Sequence, residues 1–294
     1  MESKDFPSIY QESDSLAIDT QEKHFRLVRT KIAFLLAVGI VTSVTLNQTE
    51  SYRVSEGIVL TIFLVLSIAL TAILYMTRFD KIWCDSRAIA ESIKAETWVF
   101  MMKVGPYGGT ISDSEAESRF LNRLNETIHL HQSVLSELAS YFKESTQITA
   151  HMRCVRNQSL ESRREFHSKS RIHDQCVWYA QKTRWNKSQE SKWFVVTWVL
   201  ELSAFALALV TVFFKDTIVS PVGIMTTASA GLLSWINARS YTETSLSYGL
   251  VAHELSILED RASHVTTEEE MANTVLETEN TIGQEHRIWL ARLL

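Results

Sequence analysis

Glu201 is the residue with the clearest potential for chemistry, because it is the one carboxylate inside an apolar run at residues 193–214. A charged side chain near the centre of a membrane helix costs roughly 2.5–3.5 kcal/mol on insertion scales, so it should face protein or water. Two interpretations follow. Glu201 lines a pore with one carboxylate per subunit, or it is protonated or hydrogen-bonded and packs against Thr226, Thr227 or Ser229.

The next apolar run, residues 218–236, has a face of small residues. Gly223, Thr227 and Gly231 recur every four residues, and Ser234 follows on the same face. Small residues at this spacing let helix backbones approach closely, so Gly223 and Gly231 are predicted packing residues. Either closure of a helical hairpin or association of subunits would use this face. Thr227 and Ser234 join Glu201 as pore-lining candidates.

A ladder of charged and aromatic residues follows the second apolar run. Its members recur at spacings of 4, 4, 3 and 4, which places them on one helix face: Trp83, Arg87, Glu91, Lys94 and Trp98. The simplest interpretation is an amphipathic helix packed on another helix, with its charges in local pairs. A ligand-binding stripe is the alternative.

A second ladder precedes the third apolar run and echoes the first. It consists of Arg171, Asp174, Trp178, Lys182 and Trp185. His173, Asp174 and Cys176 point in divergent directions on a helix, so no metal site and no cofactor are predicted here.

Four apolar stretches indicate membrane spans: residues 32–46, 57–76, 193–214 and 218–236. A helix needs about 20 apolar residues to cross a bilayer of about 30 Å, and the first stretch is shorter than that. The polar loops within each pair of spans, 47–56 and 215–217, are short. The predicted fold class is all-α, an integral membrane protein with four transmembrane helices in two hairpins and long cytoplasmic helices.

The distribution of basic residues predicts the topology. Of the 29 Lys and Arg residues, 27 lie in residues 1–31, 77–192 and 237–294. Loops rich in Lys and Arg stay cytoplasmic, so the prediction is a multi-pass protein of the cell (inner) membrane with both termini inside. A net charge of −5 argues against binding to nucleic acid. The segment 237–294 is acidic and 77–192 is basic, so these cytoplasmic helices are expected to pack together.

Local signals predict several helix boundaries. Asp14 or Ser15 is expected to cap a helix near the N-terminus, and Ser112 or Asp113 one over residues 113–150. Residues 150–192 are expected to form one basic helix that continues into the third span. A break near residues 264–267 is followed by a cap at Thr266 or Thr267, ahead of three glutamates.

The chain repeats one plan, in which an amphipathic helix, a membrane hairpin and a long cytoplasmic helix follow one another. We assign the first copy to residues 1–110 and the second to 150–294, joined by a helical connector at 111–149. Hairpins repeated in the same orientation differ from the inverted repeats of secondary transporters. No phosphate-binding glycine loop, zinc-protease motif or nucleophile elbow is found, so no enzyme is predicted.

The ordered residues around the hairpins resemble a tandem pair of SLATT domains, the SMODS- and SLOG-associating two-transmembrane effector family. In the first copy the resemblance includes Tyr10, Asp14, Gln21, Trp83, Arg87, Glu91, Lys94, Trp98 and Tyr107. In the second it includes Arg156, Arg163, Arg171, Asp174, Trp178, Tyr179, Lys182, Asn186, Glu254, Glu279, Glu285 and Trp289. A tyrosine expected near Phe166 and His167 is missing.

The resemblance implies a homo-oligomeric membrane effector of prokaryotic anti-phage defence. Such an effector forms a pore or otherwise damages the bilayer when a separate nucleotide-signal synthase or sensor protein activates it. Two alternatives stay open. One is a membrane-anchored helical scaffold that recruits a cytoplasmic partner without conducting ions, and the other is a small constitutive ion channel.

Overall fold

The computed structural model describes residues 1–44, 50–213 and 222–293, and these ranges contain no β-strand. The prediction of an all-helical fold is therefore confirmed. The predicted turn at 215–217 and residues 47–49 of the predicted outer loop lie outside the described residues. The α-helices in the described ranges are α1 (Ser8–Val44), α2 (Glu50–Thr77), α3 (Phe79–Met101), α4 (Asp113–Leu130), α5 (Leu135–Ala139), α6 (Ala150–Arg156), α7 (Leu160–His167), α8 (Asp174–Phe213), α9 (Val222–Arg239), α10 (Tyr241–Ala262) and α11 (Glu268–Leu293).

The contacts divide the chain into two compact units. Unit 1 contains Met1–Gln21, Asp80–Thr183 and Leu246–Leu294, and unit 2 contains Glu22–Phe79 and Arg184–Ser245. Unit 1 holds most of the charged helices, and unit 2 holds the four apolar stretches.

The core of unit 1 surrounds the C-terminal half of α3. Apolar side chains of α3 recur at helical spacing, and Ile89, Ile93 and Phe100 are completely buried. The ring of Phe100 lies 4.8 Å from that of Phe120 in α4 and 5.5 Å from that of Tyr107, measured between ring centroids. Each fully buried side chain of this size contributes about 1.5–3 kcal/mol relative to exposure, so this cluster is a main stabilising element of unit 1.

Two buried arginines donate hydrogen bonds to backbone carbonyl oxygens at the C-terminal end of α3. Arg156 donates to the carbonyl oxygen of Phe100 at 2.8 Å, and Arg163 donates to that of Met102 at 2.5 Å. The last carbonyls of a helix have no intrahelical partner, and buried ones need another donor. The chain then turns at Gly105, whose φ of +56° is a conformation that favours glycine. Arg156 and Arg163 therefore have structural roles.

The acidic C-terminal helices pack against the basic middle of the chain, as predicted. Glu268 of α11 pairs with Arg163 of α7, and Glu279 of α11 pairs with Arg171. Leu255 of α10 and Ile172 are completely buried together in a second apolar cluster. Opposite charge and apolar burial therefore hold these helices together within unit 1.

The predicted helix starts at Ser112 and Thr267 are confirmed. The Ser112 hydroxyl accepts a hydrogen bond from the Glu115 amide at 3.2 Å. Thr267 accepts from the Glu270 amide at 3.2 Å, and the Glu270 carboxylate accepts from the Thr267 amide at 3.1 Å. This reciprocal pair is a capping box, which satisfies two amides that the helix itself cannot.

Other predicted boundaries are wrong. The helix expected over 113–150 ends at Leu130, and only the short α5 follows before α6. A run of Ser, Thr and Gln at residues 145–149 explains part of the difference, because such side chains compete for backbone hydrogen bonds. The first helix is not capped by Asp14 or Ser15. It begins at Ser8, directly after Pro7, whose fixed φ suits a helix start.

The basic helix expected over 150–192 is also divided. α6 ends at Arg156, and Ser159 caps α7 by accepting from the Ser162 amide at 3.3 Å. A π-helix at Ser168–His173 then joins α7 to α8. π-Helical turns are rare and occur often at functional sites. Here the π-helix carries Arg171, which is 1% exposed.

Unit 2 has small residues inside and large apolar residues outside. In the described part of the four apolar stretches, its buried positions are Gly39, Ser67, Thr197, Ala204 and Ser229. Large side chains such as Trp198 and Phe205 are 53% and 63% exposed. A water-soluble protein rarely exposes contiguous apolar surface on this scale, whereas membrane helices pack through small residues and expose large ones to lipid.

Helices α1 and α9 approach each other closely within unit 2. A methyl group added at Gly39 would lie 3.0 Å from Oγ1 of Thr227, and one added at Gly231 would lie 3.1 Å from Cγ2 of Ile32. Both distances are shorter than ordinary van der Waals contacts. The small face of α9 therefore packs on α1, a partner helix that the sequence analysis did not name.

Among the described residues, two helical stretches are long and apolar enough to cross a membrane. They are Val54–Tyr107 and Leu160–Val210, whose best 18-residue windows have mean hydropathies of 2.7 and 2.0. Only 6% and 11% of these windows are buried, so they are not core helices of a soluble fold. The first stretch includes the whole predicted span 57–76, and the second includes most of the predicted span 193–214. The predicted spans at 32–46 and 218–236 extend into residues outside the described ranges.

Candidate functional site

Glu201 lies on α8 with its side chain exposed, and one neighbour binds it. The hydroxyl of Ser229 on α9 donates to Oε1 of Glu201 at 2.9 Å, and Ser229 itself is buried. This contact was one of the alternatives expected from the sequence. It does not remove the carboxylate from the surface of the chain, where exposed apolar residues such as Val199, Leu202 and Phe205 surround it in sequence.

The other pore-lining candidates do not join Glu201 through hydrogen bonds in the described chain. The Thr227 hydroxyl donates to the carbonyl of Gly223 at 2.8 Å and faces Gly39. Ser234 is exposed and donates to the carbonyl of Ala230 at 2.9 Å. The structure therefore brings together Glu201 and Ser229, while Thr227 belongs to the contact between α1 and α9.

The two predicted packing glycines differ from each other. Gly231 contacts Ile32 of α1, as described above, and has the packing role that its spacing indicates. Gly223 is exposed on α9, and its carbonyl accepts from the hydroxyls of Thr226 and Thr227. Gly39 is a packing residue that the sequence analysis missed. Gly39 and Ile32 are seven residues apart, so they lie on the same face of α1. This shared face was the signal in the sequence that could have identified Gly39.

A buried ion pair is the centre of a second site, in unit 1. Arg171 donates from Nε to Oε1 of Glu279 at 2.8 Å and from Nη2 to Oε2 at 2.5 Å. Burial raises the pKa of the Glu279 carboxyl, and Arg171 opposes that shift. Burial alone would lower the pKa of Arg171, but the Glu279 carboxylate raises it. The bidentate geometry favours a charged pair.

Aromatic and polar groups enclose this ion pair. The guanidinium carbon of Arg171 lies 5.8 Å from the centroid of the Trp98 ring, which in turn lies 5.7 Å edge-on from the ring of His167. Burial, followed by the charge of Arg171, lowers the pKa of His167 to about 3, so the imidazole is neutral. Trp98 Nε1, His167 Nε2 and Arg171 Nη1 are buried without a hydrogen-bond partner in the described chain. His167 is a further member that the sequence analysis did not select.

The first ladder forms a charge network next to this pair. Arg87 contacts Oδ1 of Asp14 at 3.1 Å and Oε1 of Glu91 at 2.6 Å. Burial lowers the pKa of Lys94. The charge of Arg171 lowers it further, whereas the charge of Glu91 raises it. The local pair predicted within the helix is present, and Asp14 adds a contact from α1. We call Asp14, Arg87, Glu91, Lys94, Trp98, His167, Arg171 and Glu279 the charged core of unit 1.

The other residues of the resemblance lie outside the charged core or at its edge. Tyr107 is completely buried, and its hydroxyl donates to Glu96. Tyr179 and Trp178 pack against Tyr248, with ring centroids 5.3 and 5.5 Å apart, and Lys182 lies 5.7 Å from the Trp178 ring. Further members are buried Tyr10, half-buried Gln21, Trp83 and Glu254, exposed Asp174 in the first turn of α8, and buried Asn186 in unit 2.

Glu285 and Trp289 belong to α11, but their side chains lie outside the described part. Among the described residues, no group of His, Cys, Asp and Glu is arranged to hold a metal ion. The arrangement of charges in unit 1 supports rigid packing.

Comparison with known protein families gives two matches along the chain. Residues 7–164 match SMODS and SLOG-associating 2TM effector domain 3, and residues 167–289 match SMODS and SLOG-associating 2TM effector domain 1. Neither a curated protein nor a solved structure matches the chain. The tandem arrangement expected from the sequence is confirmed. The boundaries at 110 and 150 stay a prediction.

Proposed function

Because the chain belongs to the SMODS and SLOG-associating two-transmembrane effector (SLATT) family, we propose that it is a pore-forming membrane effector of a prokaryotic anti-phage system. Several copies assemble in the inner membrane, each with four spans and with both termini in the cytoplasm. A separate nucleotide-signal synthase or sensor activates the assembly. Cations then pass through a pore lined by one Glu201 from each copy.

The position of Glu201 is the observation that supports this proposal most directly. Its carboxylate is exposed on an apolar helix, and Ser229 binds only one of its two oxygens. A charge left in lipid at this depth costs several kcal/mol, so water or another protein must cover it. A ring of such carboxylates around a water-filled pore satisfies both requirements and attracts cations.

The surface of unit 2 supports assembly in a bilayer. Large side chains on α2 and α8 are exposed, including Ile58, Ile62, Phe194 and Trp198. Lipid tails or neighbouring copies would cover these side chains. The distribution of Lys and Arg supports cytoplasmic termini by the positive-inside rule.

Ion flux through liposomes tests the pore. The purified protein, reconstituted with its activating partner, is expected to release K⁺ and to prefer cations over anions. Glu201→Gln should reduce that preference, and Glu201→Asp should keep it. Glu243→Gln removes an exposed glutamate outside the apolar stretches and is the matched control.

Two outcomes would contradict the proposal in different ways. If Glu201→Gln leaves conductance and selectivity unchanged, the acidic ring is wrong. If the wild-type protein releases no ions and its induction in bacteria with a triggered sensor does not depolarise the membrane, the non-conducting scaffold is favoured.

A further inference from the structure

One end of the contact between α1 and α9 carries two arginines that both contact Phe25, Arg239 through its ring and Arg29 through its backbone carbonyl. Phe25 is 6% exposed, and its ring lies 5.8 Å from that of Trp235. The guanidinium carbon of Arg239 lies 4.1 Å from the centroid of the Phe25 ring and 5.0 Å from that of Trp235. Arg29, one turn along α1, donates from Nε to the carbonyl of Phe25 at 3.3 Å. All four residues belong to unit 2.

Neither arginine has an acidic partner among the described residues. The three buried arginines of unit 1 do have one: Arg156 pairs with Asp113, Arg163 with Glu268 and Arg171 with Glu279. Nε of Arg239 is buried without any hydrogen-bond partner in the described chain. Arg29 is exposed and uses one of its donors on the Phe25 carbonyl. The two guanidinium groups therefore retain charge and donors for an anion.

We propose that Arg29 and Arg239, positioned by Phe25 and Trp235, bind the phosphate of an anionic phospholipid in the cytoplasmic leaflet. The proposal rests on the four-span arrangement, in which the end of α9 at Arg239 and the Arg29 region of α1 lie at the cytoplasmic surface. Tryptophan and arginine are the side chains expected at the depth of lipid headgroups.

The chemistry of the cluster fits a lipid phosphate. Guanidinium groups bind phosphate oxygens through charge-assisted, often bidentate hydrogen bonds. Basic pockets between membrane helices on the cytoplasmic side are suited to anionic headgroups. On α9, an apolar surface continues from Arg239 toward the middle of the helix and includes Leu233, which is 45% exposed. An acyl chain can lie along that surface, which a free phosphate ion cannot use.

Native mass spectrometry of the full-length protein in detergent tests the site. The probes are phosphatidylglycerol and phosphatidylcholine with identical acyl chains, each with and without inorganic phosphate as competitor. Wild-type protein should retain phosphatidylglycerol in preference to phosphatidylcholine. The double variant Arg29→Gln, Arg239→Gln should lower its affinity for phosphatidylglycerol roughly tenfold. Arg26→Gln is the matched control, because Arg26 lies on the same helix and already pairs with Glu22 at 2.7 Å.

Equal retention of phosphatidylglycerol by the double variant and by Arg26→Gln would overturn the proposal. So would equal binding of the two lipids, or displacement of phosphatidylglycerol by millimolar phosphate, which would identify a free-phosphate site. If Arg239→Gln prevents folding, Arg29→Gln alone provides the test, because that side chain is exposed and it should still weaken binding. Lipid retention is measured independently of conductance. A protein that retains the lipid but conducts no ions would therefore contradict the proposed pore and still support the lipid site.

Discussion

Arg171 and Glu279 lie in the interior of unit 1, where an unpaired charge is costly. Removal of one partner of a buried ion pair destabilises a protein by about 3–5 kcal/mol, because the remaining charge stays buried. We expect Glu279→Gln to lower the free energy of unfolding by about that amount. Denaturation in detergent, followed by tryptophan fluorescence, measures it.

The matched control for this pair lies on the same helix. Glu277 pairs with Arg261 at 2.8 Å, and both side chains are exposed. Exposed ion pairs contribute about 0–1 kcal/mol, so Glu277→Gln should change stability little. A similar loss from both variants would mean that the Arg171–Glu279 pair contributes no more than a surface pair.

His167 makes the stability of unit 1 dependent on pH. Burial lowers the pKa of His167 to about 3, whereas an unfolded histidine titrates near 6.5. Below pH 6.5 the unfolded chain binds a proton that the folded chain excludes, so stability falls as the pH decreases toward 3. Between pH 7 and pH 5 the loss is about 2 kcal/mol.

Denaturation series at pH 7, 6 and 5 test this dependence. His167→Gln should flatten it, even if the substitution lowers stability at every pH. His264→Gln, at an exposed position, should keep the wild-type dependence. An unchanged slope in His167→Gln would assign the effect to other groups.

The long-range members of the charged core could not be found from residue spacing. The ladder from Trp83 to Trp98 predicted one helix face correctly, because neighbours on a helix are separated by three or four residues. Arg171 and Glu279 are 108 residues apart, and no local pattern pairs them. Asp14 was selected by resemblance and as a helix cap, and its ion pair with Arg87 became evident only in the fold.

At the level of elements, the packing of α1 on α9 depends on glycine. A methyl group at Gly39 would approach Thr227 at 3.0–3.1 Å, so α1 or α9 must shift to accept it. We expect Gly39→Ala to destabilise unit 2 by about 1–3 kcal/mol, a typical cost of overpacking. The midpoint of thermal unfolding in detergent is the measurement.

Gly57 on α2 supplies the control for this substitution. A methyl group there would meet no atom within 4 Å. Gly57→Ala should therefore be neutral or stabilise the helix by up to about 1 kcal/mol, since alanine has the higher helix propensity. Equal effects at Gly39 and Gly57 would show that close packing of the two helices is unimportant.

Elements were predicted well where their signals are local and poorly where they are not. Caps at Ser112 and Thr267 depend on a few neighbouring residues and are present. The π-helix at Ser168–His173 carries Arg171, which is bound to Glu279 of α11, and no local pattern predicted it. The small face of α9 was recognised from its spacing, but its partner helix was not, since spacing within one helix carries no information about the other.

At the level of the whole molecule, cysteine labelling tests the proposed orientation. Cys154 is exposed, whereas Cys84 is buried, and burial raises the pKa of its thiol to about 12. A membrane-impermeant maleimide should label Cys154 in inverted vesicles and not in spheroplasts, because the middle segment is predicted to be cytoplasmic. Cys84 should stay unlabelled in both, since the thiolate is the reactive form.

A cysteine introduced in the predicted outer turn gives the opposite control. Asp216→Cys should react in spheroplasts and not in sealed inverted vesicles. Labelling of Cys154 from outside the cell would reverse the proposed topology.

Each compact unit contains segments from both family domains. Unit 1 takes Trp98 from the first match and Arg171 from the second, and unit 2 takes the part of α1 after Gln21 from the first and α9 from the second. A gene shortened to either domain would therefore encode incomplete versions of both units. Trp98 would lack the guanidinium beside it, and Gly39 would lack Thr227. The boundary between the two family domains therefore does not coincide with the division into two compact units.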